Sequence, residues 1–236
     1  MNLFRYFTKF EWCLWCFSVV SVIAAFVLFD RINWVNPLSA IIGVSYIIIN
    51  AKGNPIGQAL GLVFSVAYGF IALGFGYYGE MVTYMGMTAP MAVVALIAWL
   101  RHPFRQNRAE VAVNRISKRE MAFAFVLSAA VTILFYFILK SLNTANLIPS
   151  TISVYTSFLA VYLTARRSEW FSLAYAANDI VLIVLWSLAA FENLSYVSVI
   201  VCFVMFFIND IYAFLSWRKM RRMQQRDVAA MTSIDQ

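Results

Sequence analysis

The chain has 236 residues, of which 63% are hydrophobic and only 12% are charged. Soluble domains are about 45–50% apolar and about a quarter charged, so this composition excludes a water-soluble fold, a disordered chain and a disulfide scaffold. It predicts an integral membrane protein. The net charge of +7 needs no nucleic-acid partner, because the positions of the basic residues have a topological explanation.

Long uncharged runs predict the membrane spans, since a helix needs about 20 mostly apolar residues to cross the hydrocarbon core. Eight runs qualify: Trp12–Phe29, Trp34–Asn50, Ile56–Tyr78, Met81–Leu100, Met121–Leu139, Leu147–Ala165, Trp170–Phe191 and Leu194–Trp217. They do not alternate as β-barrel strands do. The first run is too long for a signal peptide and no cleavage site closes it. We therefore predict an all-α polytopic protein with eight transmembrane helices.

The basic residues predict the orientation of these spans. With eight spans both termini share a side, and sixteen of the 18 Lys and Arg residues fall on that side. Only Arg31 and Lys140 fall on the other. Because basic residues accumulate in cytoplasmic loops, both termini are predicted to be cytoplasmic.

A long basic loop, residues 101–120, divides the chain into two sets of three spans, here called the first trio and the second trio. The predicted parts are an extra N-terminal helix (1–33), the first trio (34–100), the basic loop with a linker helix (101–146), the second trio (147–217) and a basic tail (218–236). Each trio begins near a proline, Pro37 or Pro149, and ends on a tryptophan, Trp99 or Trp217. Trios separated by one span enter the membrane from the same side, which predicts parallel repeats with a substrate site between them.

Sequence motifs for catalysis or metal binding are weak. Cys13 and Cys16 form a CxxC inside an apolar run without further ligands, and His102 is the single histidine. A GxGxxG at residues 74–79 closes an apolar run and does not open a helix, so it is interpreted as a helix end and a turn. No cofactor and no metal site are predicted.

Polar residues inside the spans are the first candidates for a substrate site, because ionisable groups there are costly and usually face a cavity. Asp179 and Asp210 each follow an asparagine, Asn178 and Asn209. Asp210 is expected to reach the cytoplasmic headgroups, whereas Asn209 lies deeper and shares a helix face with Tyr212. Interhelical hydrogen bonding explains any one of these residues equally well. Their pairing on adjacent helices of one trio favours a substrate role.

Aromatic residues make up 17% of the chain, and Tyr68, Tyr84 and Trp186 lie deepest in the predicted spans. Gln58 adds an amide one turn into the third span, and Pro90 predicts a hinge halfway along the fourth. Aromatic faces attract cations by about 0.5–2 kcal/mol, and the predicted spans contain no Lys or Arg. These residues predict a flat, hydroxylated ligand that is neutral or cationic and not phosphorylated.

Four stretches from the second span onward form a recognisable pattern: Gly57 to Trp99 with its Tyr78-Gly79 turn, Arg166-Arg167-Ser168-Glu169-Trp170, Asn178, and Asn209-Asp210-x-Tyr212 ending in Trp217. In these stretches the chain resembles the PnuC family of bacterial nicotinamide riboside transporters. The family's Tyr-Gly-x-x-x-Trp ending is altered in both trios. Ala213 replaces the glycine in the second trio, and Val94-Ala95 stand at these positions in the first.

The resemblance implies a fold similar to SWEET sugar carriers, with three, one and three helices, here preceded by one extra helix. It further implies a homotrimer in the bacterial inner membrane that imports nicotinamide riboside, an NAD precursor, by facilitated diffusion. A cytoplasmic riboside kinase would maintain net uptake. The polar and aromatic residues of the spans, taken together with this resemblance, predict a substrate site formed by Asn178, Asn209, Tyr212, Trp186, Asp179, Gln58, Tyr68 and Tyr84, and a hinge at Pro90.

Three other functions are compatible with the sequence alone. Asp179 or Asp210 would serve a proton-coupled carrier of another vitamin or nucleoside-like substrate, such as thiamine or riboflavin. A membrane enzyme is disfavoured because the sequence offers no nucleophile, metal motif or histidine pair. A scaffold subunit is distinguished by its failure to bind small molecules.

The predicted topology can be tested with reporters. A reporter fused after Gln236 should be cytoplasmic, and a tag in the loop 101–120 should be inaccessible from outside, because basic loops stay in the cytoplasm. The measurement is impermeant labelling of intact cells, with lysed cells as the control. External labelling of the loop would contradict the eight-span topology.

Overall fold

The computed structural model describes residues 6–31, 35–74, 76–105 and 107–232 of the chain. Eight main helices and one short hairpin follow each other in this part of the chain. They are α1 (Lys9–Phe29), α2 (Val35–Asn50), α3 (Pro55–Gly74), α4 (Tyr78–Arg101), the strands β1 (Pro103–Phe104) and β2 (Asn107–Val111), α5 (Lys118–Ser141), α6 (Leu147–Ala165), α7 (Phe171–Ala190), a 3₁₀ turn (Leu194–Tyr196) and α8 (Val197–Thr232).

Seven of the described helices are long and apolar enough to cross a membrane. The exception is α2, which has 16 residues; the predicted start of this span, Trp34, lies outside the described residues. The prediction of a polytopic helical membrane protein is confirmed. The basic loop contains the antiparallel strands β1 and β2, for which the sequence analysis made no prediction.

The last helix differs from the prediction, because it does not end at Trp217 but continues to Thr232. Hydropathy detects only the part of a helix that lies in the membrane. Beyond Trp217 the helix is held by the loop 101–120, since the Gln224 side chain donates to the backbone oxygen of Val111 (3.0 Å) and accepts from the backbone N–H of Val113 (2.9 Å). Most of the predicted tail is therefore a helix that extends the bundle beyond the membrane.

Helix α4 contains a widened turn directly before Pro90. Residues Tyr84–Thr88 form a π-helical turn, and the Ala89 N–H donates to the Tyr84 carbonyl, five residues earlier. Proline has no N–H to donate, and its ring clashes with the carbonyl four residues before it. The widened turn relieves that clash. Its position at Tyr84 places the irregularity beside a predicted substrate residue.

The two trios are α2–α3–α4 and α6–α7–α8, and their helices pack by the same rule. Within each trio the second helix contacts the first and the third. Between trios the first helix of one contacts the third of the other, as α2 with α8 and α4 with α6. The linker α5 packs on α6, and the extra helix α1 packs on α2 and α8.

Two buried tryptophans join the trios at one end of the bundle. Trp99 at the end of α4 donates from Nε1 to the Thr164 carbonyl of α6 (2.9 Å). Trp217 of α8 donates to the Asn50 carbonyl of α2 (2.7 Å). The two indole rings lie 5.2 Å apart and are fully buried. We call this end, which also carries the loop 101–120, the basic end.

The turns that follow α2 and α6 at the basic end are also equivalent. Gly53 and Arg167 both have positive φ, 66° and 56°. The Gly53 carbonyl accepts from the Val111 N–H at 2.9 Å, and the Arg167 carbonyl accepts from the Asn114 N–H at 3.0 Å. One segment, residues 111–114, therefore connects corresponding turns of the two trios.

The tryptophan contacts can be tested by thermal unfolding. Trp99→Phe or Trp217→Phe removes an indole hydrogen bond and leaves unfilled space, so each should lower the free energy of unfolding by about 1–3 kcal/mol. Trp170→Phe is the control, because Trp170 is 42% exposed, and it should change the melting temperature little. Equal melting temperatures for all three variants would contradict a joining role for the buried pair.

Candidate functional site

A buried polar cavity lies between the two trios. Among the described residues its lining is Tyr46, Gln58, Gly61, Phe64, Ser65, Tyr84, Thr88, Ala92, Ser157, Tyr175, Asn178, Asp179, Phe203, Phe206 and Asp210. All six helices of the trios contribute to this lining, whereas none of these residues belongs to α1 or α5. A site shared by all six helices changes shape whenever the trios move relative to each other.

Asn178 is held in the cavity by one half of its amide. Its Oδ1 accepts hydrogen bonds from Thr156 Oγ1 (2.8 Å) and Ser157 Oγ (3.0 Å) of α6. Its Nδ2 makes no hydrogen bond to any described residue, although the side chain is 3% exposed. Because a buried amide N–H without a partner is costly, the Asn178 Nδ2 is a donor available to a ligand.

Asp179 and Asp210 meet at the cavity. Asp179 lies on α7 and Asp210 on α8, and their carboxyl groups are within hydrogen-bonding reach of each other. They are 4% and 3% exposed. The expectation that Asp210 reaches the headgroups is therefore wrong. The hydropathy pattern gave its depth along α8, but the direction of the side chain depends on how α8 packs against α7.

Gln58 and Tyr84 also line the cavity, as neighbours of the asparagine and the acidic pair. The Gln58 Nε2 donates to Asn50 Oδ1 (3.0 Å), which fixes the orientation of its amide. Tyr84, on the π-helical turn, lies with its ring 4.3 Å from that of Tyr68. These two residues bring an amide and an aromatic face from the first trio to a site whose acidic groups come from the second.

Tyr68 and Trp186 lie next to the cavity, further from the basic end. The Trp186 Nε1 donates to the Tyr68 hydroxyl at 2.9 Å, which joins α7 of the second trio to α3 of the first. Trp186 also packs on Tyr77 and Tyr196, with ring centroids 4.6 and 5.4 Å away. This group of aromatic residues covers the side of the cavity that faces away from the basic end.

Asn209 and Tyr212 share a face of α8, as the sequence predicts, but that face contacts α1. The Asn209 Nδ2 donates to Ser18 Oγ (2.9 Å) and to the Met205 carbonyl (2.7 Å). The Tyr212 hydroxyl donates to Glu11 Oε1 at 2.8 Å. Neither residue lines the cavity. The structure therefore brings these two side chains to the extra N-terminal helix.

Pro90 lies on the outer surface of α4 and is exposed. Its connection to the cavity is the π-helical turn, which carries Tyr84 and Thr88.

Several lining residues were not among the predicted site residues. Tyr46 of α2 and Tyr175 of α7 place two further phenol groups at the cavity, and Ser65 and Ser157 add hydroxyls. A tyrosine inside an apolar run was the available signal for Tyr46. Serines gave no signal, because they satisfy their own helix backbone, as Ser65 does by donating to the Gly61 carbonyl (2.8 Å).

The cavity combines aromatic faces, amides, hydroxyls and two carboxyls, and no Lys, Arg or His occurs in its described lining. The space open to the centre of a water molecule is about 30 Å³. A ligand of nucleoside size therefore requires side chains, or the trios themselves, to move apart. Within the described ranges, no group of three His, Cys, Asp or Glu residues is placed to hold a metal ion.

Comparison with known proteins identifies related transporters. The family model described as nicotinamide mononucleotide transporter matches residues 33–219. The nicotinamide riboside transporter PnuC of Haemophilus influenzae is 21% identical over 191 residues, which cover 80% of each chain. The crystal structure of a vitamin B3 transporter, PnuC, superposes with a TM-score of 0.80 at 22% identity, covering 92% of this chain and 94% of that one.

The match from residue 33 to residue 219 spans both trios and every residue of the cavity. The extra helix α1, which contacts Asn209 and Tyr212, lies before it. The chain belongs to the nicotinamide mononucleotide transporter family and is a multi-pass membrane transporter, not an enzyme.

Proposed function

We propose that this protein carries nicotinamide riboside across the bacterial inner membrane by facilitated diffusion. The observation that carries the proposal is the cavity between the trios, which offers an unpaired amide donor, aromatic faces and carboxyl groups without a basic side chain in its described lining. The name of the Haemophilus influenzae relative, a nicotinamide riboside transporter, supports the same substrate.

The chemistry of the riboside matches these groups. Its pyridinium ring is flat and cationic, which suits the faces of Tyr84, Tyr175 and the phenylalanines. Its carboxamide oxygen can accept from the Asn178 Nδ2, which has no partner among the described residues. The ribose hydroxyls both donate and accept, as do Gln58 and the tyrosine hydroxyls. We assign the substrate site to Asn178, Asp179, Gln58 and Tyr84, with Tyr68 and Trp186 covering it.

We further propose that the trios are parallel repeats in a three-one-three arrangement, with α1 as an addition. The equivalent tryptophan bonds of Trp99 and Trp217, and the equivalent turns at Gly53 and Arg167, support this arrangement. Rocking one repeat against the other would open the central site to each side in turn. The widened turn before Pro90 is the proposed hinge, because it carries lining residues and its hydrogen bonds span five residues where those of an α-helix span four.

Net uptake follows if a cytoplasmic kinase phosphorylates the imported riboside. The product would carry a phosphate that the described lining of the cavity has no basic residue to bind, so it could not leave by the same route. The carrier itself then needs no energy source. We also propose that the protein is a homotrimer, as the family resemblance implies. Light scattering of the purified protein tests this oligomeric state.

Proton coupling is the second candidate, and the contact between Asp179 and Asp210 is the observation that favours it. Purified protein in sealed vesicles separates the two mechanisms. Facilitated diffusion should fill vesicles with labelled riboside only to the outside concentration, and a protonophore should not change that level. Accumulation driven by an imposed pH gradient and abolished by the protonophore would instead establish coupling.

The role of Asn178 can be tested against Asn209, an equally buried asparagine outside the cavity. Asn178→Leu leaves the ligand carboxamide unpaired, which costs about 1–3 kcal/mol, so riboside affinity should fall roughly 5- to 150-fold. Asn209→Leu removes the hydrogen bonds to Ser18 of α1 and to the Met205 carbonyl, so it should lower the melting temperature and leave the affinity unchanged. Calorimetry and thermal unfolding on the same preparations measure both effects.

Either of two results would contradict this assignment. An Asn178→Leu protein that is destabilised but binds the riboside as tightly as the parent would remove Asn178 from the site. A loss of riboside affinity in Asn209→Leu as large as that in Asn178→Leu would show that Asn209 also takes part in substrate binding.

Discrimination between the riboside and its mononucleotide is the most direct test of the cavity. A phosphate in this lining would lose its water without gaining a basic partner, at a cost of several kcal/mol. The mononucleotide should therefore bind about a hundredfold more weakly, or worse, in competition with labelled riboside. Comparable affinities would show that the substrate site lies elsewhere, despite the family's description as a mononucleotide transporter.

A further inference from the structure

Asp179 and Asp210, here called the acidic pair, are the acidic residues in the described lining of the cavity. No basic side chain in that lining balances their charge. The two carboxyls come from adjacent helices and meet at the cavity wall. Apart from this contact, the Asp179 Oδ2 has no hydrogen-bond partner among the described residues. The salt bridges of the described chain all lie elsewhere, near the basic end.

The groups that face the acidic pair from the surrounding helices are uncharged. The lining contributes Tyr46 from α2, Gln58 and Ser65 from α3, Tyr84 and Thr88 from α4, Ser157 from α6, and Tyr175 and Asn178 from α7. Their hydroxyl and amide groups can solvate a charge but cannot balance it. The only described carboxylic acids at this site are therefore the two aspartates themselves.

Two carboxylates in contact do not both stay ionised in such surroundings, because the repulsion is strong and water is scarce. One proton shared between them leaves a single net negative charge. That charge is still costly inside a membrane protein unless a cation approaches it. The arrangement therefore favours one positive charge in the cavity, held against the acidic pair and beside aromatic faces.

We propose that the acidic pair selects the substrate by charge, so that the carrier takes a planar organic monocation and rejects its uncharged counterpart of the same shape. This inference rests on the proposed function and extends it, since it assigns the recognition of the pyridinium charge to Asp179 and Asp210. Asn178 and Gln58 recognise the carboxamide and the hydroxyls. The loaded cavity is then electrically neutral, which lets the repeats close around the ligand.

The test compares nicotinamide riboside with its reduced 1,4-dihydro form, which keeps the ribose and the carboxamide but carries no positive charge. Calorimetry on the purified full chain should give at least tenfold tighter binding of the cation. The double variant Asp179→Asn/Asp210→Asn should lose most of this preference, mainly by weaker binding of the cation. Each single variant keeps one carboxyl that a bound cation can ionise, so it should keep part of the preference.

Glu80→Gln is the matched control, because Glu80 is a fully buried carboxyl in the same bundle that does not line the cavity. It should keep the preference for the cation. A double variant that retains the full preference would overturn the inference while leaving riboside transport intact. If the double variant does not fold, the affinities of the parent protein for the riboside and its dihydro form test the inference. Equal affinities for the two ligands overturn it. A parent that binds neither ligand overturns the proposed function and the inference together.

Discussion

The rest of this structure depends on two tryptophan hydrogen bonds that join the ends of helices in one trio to helices in the other. Trp99 and Trp217 each close the end of one trio on a backbone carbonyl of the other, with the two rings packed together. These bonds hold the trios together at the basic end, and the Trp186–Tyr68 hydrogen bond holds them together further from that end. The cavity, which all six helices line, lies next to both sets of contacts, so a movement of one trio against the other changes its shape.

Lipid cannot hydrogen-bond to polar groups, so each buried polar side chain in this bundle serves either the protein or a ligand. The Asn209 amide N–H groups donate to Ser18 of α1 and to the Met205 carbonyl, so this side chain fixes α1 against α8. The Asn178 Oδ1 accepts from Thr156 and Ser157, whereas its Nδ2 has no partner among the described residues and is available in the cavity. Each asparagine keeps one polar atom without a partner among the described residues, Oδ1 in Asn209 and Nδ2 in Asn178, and of the two only Asn178 lines the cavity.

The sequence predicts the helices of this fold well and the directions of their side chains less well. Apolar run length was sufficient for the spans, and rare polar residues inside the spans identified Asn178, Asp179 and Gln58 at the cavity. Of two neighbours on α8, Asp210 is expected at the headgroups but lines the cavity, whereas Asn209 is expected at the substrate site but contacts α1. Successive residues point about 100° apart on a helix, so the choice between them depends on where α1 and α7 pack. A single sequence does not contain that information.

The two trios make corresponding contacts at the basic end, but the site between them is not symmetric. Equivalent tryptophans and turns relate the trios, whereas both carboxyls and the free amide come from the second trio, and Gln58, Tyr46 and Tyr84 come from the first. An axis along the membrane normal relates the proposed parallel repeats to each other but does not interchange the two sides of the membrane. An asymmetric lining is needed because the proposed ligand is itself asymmetric, with its charge at one end and hydroxyls at the other. Corresponding contacts at the basic end can therefore hold the proposed repeats together while different residues line the cavity.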